Sequence, residues 1–304
     1  MDHSQGRRTR RLGVHTSIAG GIHRSVERAA ALKCNTLQIF SHNPRTWLSR
    51  ELSPEEASRF RELAAHHDMR PIFIHASYLI NLSSPDEETR KKSVDLLAYE
   101  LRTARTLGAD HVVLHPGKAV GRELKEALRK AAEALSQAYA EAEVQAVGVL
   151  LENTAGQRGD ISSTIPLLAE IIDNTPPGCV KGLCLDTCHA YASGYDITVP
   201  EGIERLNDEV TRYISPLKVE LVHLNDSKRG PASGIDRHEH IGRGRIGIEG
   251  LWRFLSSPFF PEAPLILETP KESEEDDGKN LDRVRELLAL KRRQPNVDDI
   301  QIPT

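Results

Sequence analysis

The sequence predicts a single TIM (β/α)8 barrel, and three observations carry that prediction. Short apolar runs alternate with amphipathic segments along all 304 residues, one strand–helix unit per roughly 35–40 residues. A doubly wound sheet would need a glycine-rich phosphate turn after an early strand, and the pair Gly20-Gly21 does not supply one. Six consecutive apolar runs end in a histidine or a carboxylate, at the place where parallel barrels carry their chemistry.

The elements follow in order. Residues 11–14 read as a first strand and 22–32 as its helix, with a second strand at 36–40 and a second helix at 54–67. The third strand is expected at 72–74. The long helix at 86–107 is opened by Ser84-Pro85-Asp86-Glu87 and closed by Gly108. A fourth strand at 111–114 precedes a helix at 121–141, and a fifth at 147–151 precedes a helix near 165–173. The sixth strand covers 180–185, with helical segments between 189 and 214. The seventh covers 220–222, its helix 248–255; the eighth covers 264–267, and the last helix 281–291. Residues 11–291 are thus expected to form the barrel. Residues 1–10 read as a basic, disordered arm and 292–304 as a polar, disordered tail.

Composition narrows the functional classes. A formal net charge of −4 gives no bulk support for nucleic-acid binding, so any such site must be built locally. No apolar run approaches the ~20 residues that span a bilayer, and no membrane association is expected. Cys34, Cys179, Cys184 and Cys188 show no framework spacing, which suits reduced thiols in a cytoplasmic protein.

The strand ends carry the chemistry. His75, His115, Glu152, Asp186, His223 and Glu268 fall at the ends of strands three to eight. His189 follows Asp186 by three residues, and the loop after the seventh strand adds Asp236 and His238. One such residue reads as a helix cap or a hydrogen-bond donor, but six coincidences of strand end and residue type point to metal. These nine donors exceed the about four that one zinc ion takes, so two or three ions are expected. Imidazole and carboxylate without thiolate suit Zn, Mn or Fe. Cys188 reads as packing. His15 and His42, after the first two strands, are expected to orient neighbouring ligands. His66, His67, His3 and His111 lie away from the mouth, and His240 is left open.

With these residues assembled, the chain resembles the endonuclease IV (deoxyribonuclease IV) family of apurinic/apyrimidinic endonucleases. The matches run from Gly13-Val14-His15-Thr16-Ser17 to Leu267-Glu268-Thr269-Pro270. Between them lie His75-Ala76-Ser77-Tyr78-Leu79-Ile80-Asn81-Leu82, His115-Pro116-Gly117 and Glu152-Asn153-Thr154-Ala155-Gly156. Leu185-Asp186-Thr187-Cys188-His189, Gly194-Tyr195-Asp196, His223-Leu224-Asn225-Asp226-Ser227-Lys228 and Asp236-Arg237-His238 complete them. One departure is Ala76, where some members have Asp.

The resemblance implies a trinuclear zinc site that cleaves the phosphodiester 5′ to an abasic site in duplex DNA. By resemblance, His75, His115 and Glu152 hold one ion. Glu152 also serves a second, with Asp186, His223 and Glu268, while His189, Asp236 and His238 hold a third. Mn or Fe in some positions is compatible with the donors. The expected chemistry is in-line attack by a metal-bridging hydroxide, with Glu152 holding the two ions and the metals stabilising the leaving oxygen. The products would be 3′-hydroxyl and 5′-deoxyribose phosphate ends.

The resemblance also places the loop Ser41-His42-Asn43-Pro44-Arg45-Thr46-Trp47, together with Tyr78 and Leu79, in the duplex, where they replace the extruded nucleotide. Arg45 would enter from the minor groove. Without the resemblance, Tyr78 and Leu79 read as ordinary core packing. An abasic nucleotide has no base to unstack, so extruding it costs less than extruding an intact one. Lys228, Arg229, Arg237, Arg243 and Arg245 form a local basic cluster suited to phosphates, and Gly242, Gly244 and Gly247 let that backbone approach DNA. The chain is expected to act as a monomer. Two rivals are a metal-dependent sugar isomerase on a similar barrel and a non-catalytic binder of damaged DNA.

Overall fold

Strands whose two faces are both covered read as continuous apolar runs, and such strands build the centre of this molecule. The computed structural model describes residues 10–47 and 50–293. The arm expected at 1–10 and the tail expected at 292–304 therefore lie almost wholly outside the described residues. Arg10 is an exception: its guanidinium donates to the carbonyls of Ala263 and Phe260.

Eight parallel strands form the barrel: β1 (Leu12–Val14), β2 (Leu37–Phe40), β3 (Ile72–His75), β4 (His111–Leu114), β5 (Gly148–Glu152), β6 (Val180–Asp186), β7 (Val219–His223) and β10 (Leu265–Leu267). They pair in the order β1-β10-β7-β6-β5-β4-β3-β2. A bridge between His15 and Gln38 closes the ring, with Thr16 N donating to Gln38 O at 2.9 Å. A two-residue antiparallel ladder, β8 (Asp226–Ser227) with β9 (His238–Glu239), lies in the loop after β7. The sequence offers no pattern for it, because two residues are too few to show alternation.

The helices are α1 (His23–Ala31), α2 (Pro54–His66), α3 (Glu87–Leu107), α4 (Leu124–Ala142), α5 (Ile165–Asp173), α6 (Thr187–Ser193), α7 (Pro200–Ile214), α8 (Gly247–Ser256) and α9 (Asp276–Arg293). Asp86 caps α3 by accepting from Thr89 N, and Gly108 ends it in the left-handed region, as the sequence suggests. Two starts differ from expectation by three residues or more. Helix α4 begins three residues late, because Val120 and Gly121 both take positive φ (46° and 87°) in the preceding turn. Helix α9 begins five residues early: the polar run before Leu281 resembles a loop, but Asp276 and Asp277 form an acidic first turn.

Side-chain alternation sets the position of the site. Phe73, Val113, Leu150, Cys184, Leu221 and Ile266 form a buried cluster of their own, separate from the main core. They come one each from β3, β4, β5, β6, β7 and β10 and fill the barrel interior. Two residues further along each strand, on the same face, stand His75, His115, Glu152, Asp186, His223 and Glu268. The polar donors are therefore the next layer above an apolar floor, at the C-terminal mouth. Four of them are the last residue of their strand; His115 and Glu268 lie one residue beyond.

Candidate metal centre

The donors gather into three adjoining groups, with ligand atoms within 4.8 Å of one another in each. His75 Nε2 and His115 Nε2 lie 3.3 and 3.0 Å from Glu152 Oε2. The other Glu152 oxygen faces His223 Nδ1 at 3.0 Å, and His223 Nδ1 also stands 3.3 Å from Glu268 Oε2 and 4.0 Å from Asp186 Oδ2. In the third group, His189 Nε2 and His238 Nε2 approach the two oxygens of Asp236 at 3.3 and 3.4 Å. Two carboxylates join the groups. Glu152 belongs to the first and second, and Asp186 Oδ2 lies 3.6 Å from His238 Nε2, between the second and third.

The outward nitrogens explain how the rings are held. A carbonyl oxygen only accepts, so a ring nitrogen facing one must carry the proton. His75 Nδ1 donates to Ala76 O (2.8 Å), His189 Nδ1 to Asn153 O (2.9 Å) and His238 Nδ1 to Glu268 O (2.9 Å). In the neutral ring, the form that binds a metal, Nε2 then has its lone pair aimed inward. His223 is turned the other way: Nε2 donates to Gln38 Oε1 at 2.8 Å, and Nδ1 points at the carboxylates. Fixing the tautomer through the far nitrogen is the usual support of a metal-binding imidazole.

Three polar side chains complete this support, and sequence reasoning gave none of them a role. Gln38 Nε2 donates to Glu268 Oε1 (2.6 Å) and contacts His15 Nδ1 (3.0 Å). Asn225 Nδ2 donates to Asp186 Oδ2 (2.6 Å), and its Oδ1 accepts from Glu268 N (2.8 Å). Asn153 brackets the backbone of Asp186 through both ends of its amide. The amides one residue after Glu152 and two after His223 were the available signal. Gln38 had none, being a polar residue inside a short strand.

Electrostatics match the packing. Burial pushes the Glu152 carboxylate up, and the imidazoles of His115 and His223 overrule it and hold it well below the usual carboxylate range. Burial disfavours the charged His189 ring, but Asp186, Asp236 and Glu152 raise it well above its usual value. Several buried atoms meet no hydrogen-bond partner among the described residues, including Glu152 Oε2, His189 Nε2 and His238 Nε2. Orphaned atoms of this kind are costly unless something binds them. The donor set and these inward-facing lone pairs fit several divalent metal ions.

The remaining histidines and cysteines sort as follows. His15 lies beside Glu268 (3.4 Å) at the mouth, as expected. His42 is buried away from the donors, bonded to Ser41 Oγ at 2.9 Å and 3.7 Å from Glu100. It therefore orients a loop rather than a ligand. His111 stacks on Phe73 at the far end of β4, and His240 contacts Asn280. The sulfurs of Cys184 and Cys188 come near the donors, but burial pushes both thiols up, Cys188 to about 12. Cys184 belongs to the apolar floor of the barrel, and Cys188 is buried on α6.

A cavity of about 390 Å³ opens over the centre, lined by His75, His115, His189, Asp236, His238 and Glu268 and walled by Tyr78 and Leu79. Tyr78 is 69% exposed, which rules out the core-packing reading of that residue. It leans on Phe40, with ring centroids 5.2 Å apart, and Arg45 is exposed on the adjoining loop. Ser77 Oγ donates to Pro44 O at 2.8 Å and ties the two loops together. Lys228 and Arg237 line a separate basic cavity of about 660 Å³.

A family profile described as a xylose isomerase-like TIM barrel matches residues 26–292. A chain named "Probable endonuclease 4" from Methanoculleus marisnigri is 41% identical over 276 residues, 91% of this chain and 98% of the relative. The chain belongs to the endonuclease IV family. The crystal structure of endonuclease IV from Thermus thermophilus superposes with a TM-score of 0.83 at 40% identity, covering 92% of this chain and 99% of that one. A D-tagatose 3-epimerase-like protein has a TM-score of 0.70 at 22% identity, covering 93% of this chain and 98% of that one, a likeness of fold alone. No helix among the described residues is long and apolar enough to cross a membrane.

Proposed function

We propose that this member of the endonuclease IV family hydrolyses the phosphodiester bond 5′ to abasic sites in duplex DNA, leaving 3′-hydroxyl and 5′-deoxyribose phosphate ends. The observation that carries the reading is the joining of three donor groups through Glu152 and Asp186 beneath one open cavity. His75, His115 and Glu152 would hold one zinc ion, Glu152, Asp186, His223 and Glu268 a second, and His189, Asp236 and His238 a third. When bound, such ions neutralise phosphate charge and bring water to a nucleophilic state near neutral pH. Four carboxylates among three divalent cations leave the site net positive, which suits an anionic diester. Glu152 is the catalytic residue in this reading, since both of its oxygens serve the centre.

Tyr78 and Leu79 would fill the gap left by the extruded nucleotide, with Arg45 beside them; the exposure of Tyr78 and the Ser77–Pro44 bond support that use. Lys228 and Arg237 would hold backbone phosphates. The four cysteines are free and buried, in keeping with a reducing compartment, and we place the protein in the cytoplasm as a monomer. The test is incubation of the zinc-loaded protein with a duplex carrying one abasic site and with its undamaged counterpart. The expected result is a single nick 5′ to the lesion with an extendable 3′ end. An intact abasic strand, with metal content confirmed, would overturn the reading.

A further inference from the structure

Beyond the metal centre stands another buried carboxylate, Asp226, which belongs to none of the donor groups. Its two oxygens accept five backbone N–H groups. Oδ1 takes Ser227 (2.7 Å), Ile246 (3.1 Å) and Gly247 (3.3 Å), and Oδ2 takes Gly242 and Gly244 (3.0 Å each). The segment 242–247 is thereby wrapped around one side chain. Gly242 and Gly247 take positive φ (78° and 68°), and Arg245 N donates to Ser227 O. At Gly244 a Cβ would collide with both Asp226 Oδ1 and Ser227 O, so the loop closes this tightly only because no side chain is there.

Arg243 and Arg245 alternate with the inward-facing amides at 242, 244 and 246 and line the cavity of about 660 Å³ with Lys228, Arg229 and Arg237; the acidic residue of that lining, Glu239, pairs with Lys228 at 3.7 Å and leaves the two arginines free of it. A carboxylate paired to one of these arginines would consume a cation. Asp226 is satisfied by the backbone instead, which leaves the guanidinium groups to an external anion. We infer that Asp226 is a positioning residue that holds Arg243 and Arg245 as a preformed clamp for the phosphodiester backbone, separate from the metal centre. The inference rests on the DNA-cleaving reading for the identity of the ligand, and the pinned loop itself does not.

The test uses the zinc-loaded full chain and an abasic duplex. Asp226→Asn keeps one acceptor oxygen and turns an NH2 group against backbone donors. Binding at about 0.1 M salt is expected to fall at least about tenfold, and the slope of log affinity against log salt to shrink by about two, one per arginine contact. The loss should fall on KM, with zinc content kept and kcat at saturating duplex reduced no more than about threefold. Gly244→Ala, which displaces the loop and leaves Asp226 in place, should do the same and decides the matter should Asp226→Asn fail to fold. Arg243→Gln with Arg245→Gln should reproduce the reduced slope, and adding Asp226→Asn should lower it no further.

Amide exchange at residues 242–247 should accelerate in Asp226→Asn without any DNA present. Unchanged exchange, a wild-type salt slope in both loop variants, or joint loss of zinc and kcat would overturn the inference. A wild-type protein that leaves the abasic duplex intact refutes the proposed function. One that nicks it while the loop variants keep the wild-type slope refutes this inference alone.

Discussion

Asp186 caps the helix that carries His189, yet their side chains point into different donor groups. Asp186 Oδ1 accepts the His189 backbone N–H at 2.8 Å, while Asp186 Oδ2 faces His223 at 4.0 Å and His238 at 3.6 Å. His189 Nε2 turns instead to Asp236. One carboxylate thus sets the start of α6 with one oxygen and joins two sub-sites with the other.

The two residues should therefore fail differently. On the proposed three-ion reading, His189→Ala is expected to lower bound metal by one ion, with the other two groups intact. Asp186→Asn retains an oxygen for the cap but weakens two groups, so it should lose more metal. Asp186→Ala adds the loss of the cap, about 1 kcal/mol. Elemental analysis after dialysis, with thermal melts alongside, checks the order. Equal metal loss in His189→Ala and Asp186→Asn would count against separate sub-sites.

Glu152 is the most demanding position. Its carboxylate faces His75 and His115 with one oxygen and His223 with the other, and it is fully buried. Glu152→Gln keeps the shape, removes the charge and offers an NH2 group to one set of inward lone pairs. Abasic-site cleavage is expected to fall by more than the about 100-fold that outer partners of a metal cost. Single-turnover rates measure it, and a normal rate would remove Glu152 from its shared role.

How much of this was legible beforehand follows from the range of each interaction. Strand ends are local facts, so six of the donors could be read from spacing, and alternation explains why those six share a face; His189, Asp236 and His238 come from α6 and the loop after β7, close in sequence to strand ends. Gln38 was illegible because its partners, Glu268 and His223, lie far along the chain and meet it only when the ring closes. The β8–β9 ladder was missed because two residues carry no periodicity. Tyr78 sits between buried Ser77 and Ile80 with half-buried Leu79, so apolarity alone suggests a core position; the resemblance places it against DNA instead, and the fold shows it exposed.

Gln38 should therefore matter more than its type suggests. Gln38→Ala removes the acceptor from His223 Nε2 and the donor to Glu268 at once. Loss of such a partner typically costs 10- to 100-fold in metal affinity, and about that is expected here. Competition with a chelator of known affinity measures it. Gln38→Glu should restore the acceptor but repel Glu268, so it should rescue little. Full affinity in Gln38→Ala would show that the His223 ring is held by its packing alone.

Tyr78 should separate stability from recognition. Its exposure means that Tyr78→Ala should change unfolding free energy by no more than about 1 kcal/mol. A lost stacking contact is worth about 1–3 kcal/mol, so affinity for the abasic duplex should fall roughly tenfold. The undamaged duplex should be affected less, which narrows the ratio between the two. Titration of both duplexes reads that ratio, and an unchanged value would take Tyr78 out of recognition.

Glu100 should make stability depend on pH. This fully buried carboxyl on α3 accepts the Ser77 N–H at 3.1 Å and lies 3.7 Å from His42, beneath the two loops that carry Arg45 and Tyr78. Burial pushes it from 4.5 up to about 8, with the Ser77 N–H pulling the other way, and burial likewise lowers the neighbouring His42. The folded protein thus holds the Glu100 proton more tightly than the unfolded chain does. Its contribution to stability is complete below about pH 4.5 and is lost as pH rises through about 8. Glu100→Gln cannot ionise and keeps an acceptor for Ser77. Relative to wild type it should be near neutral at pH 5 and more stable by at least about 2 kcal/mol at pH 9. Taking the difference between the two proteins cancels the titration of the metal donors, which both share. Urea melts across that range check it, and parallel curves would show that Glu100 is already ionised in the folded protein at neutral pH.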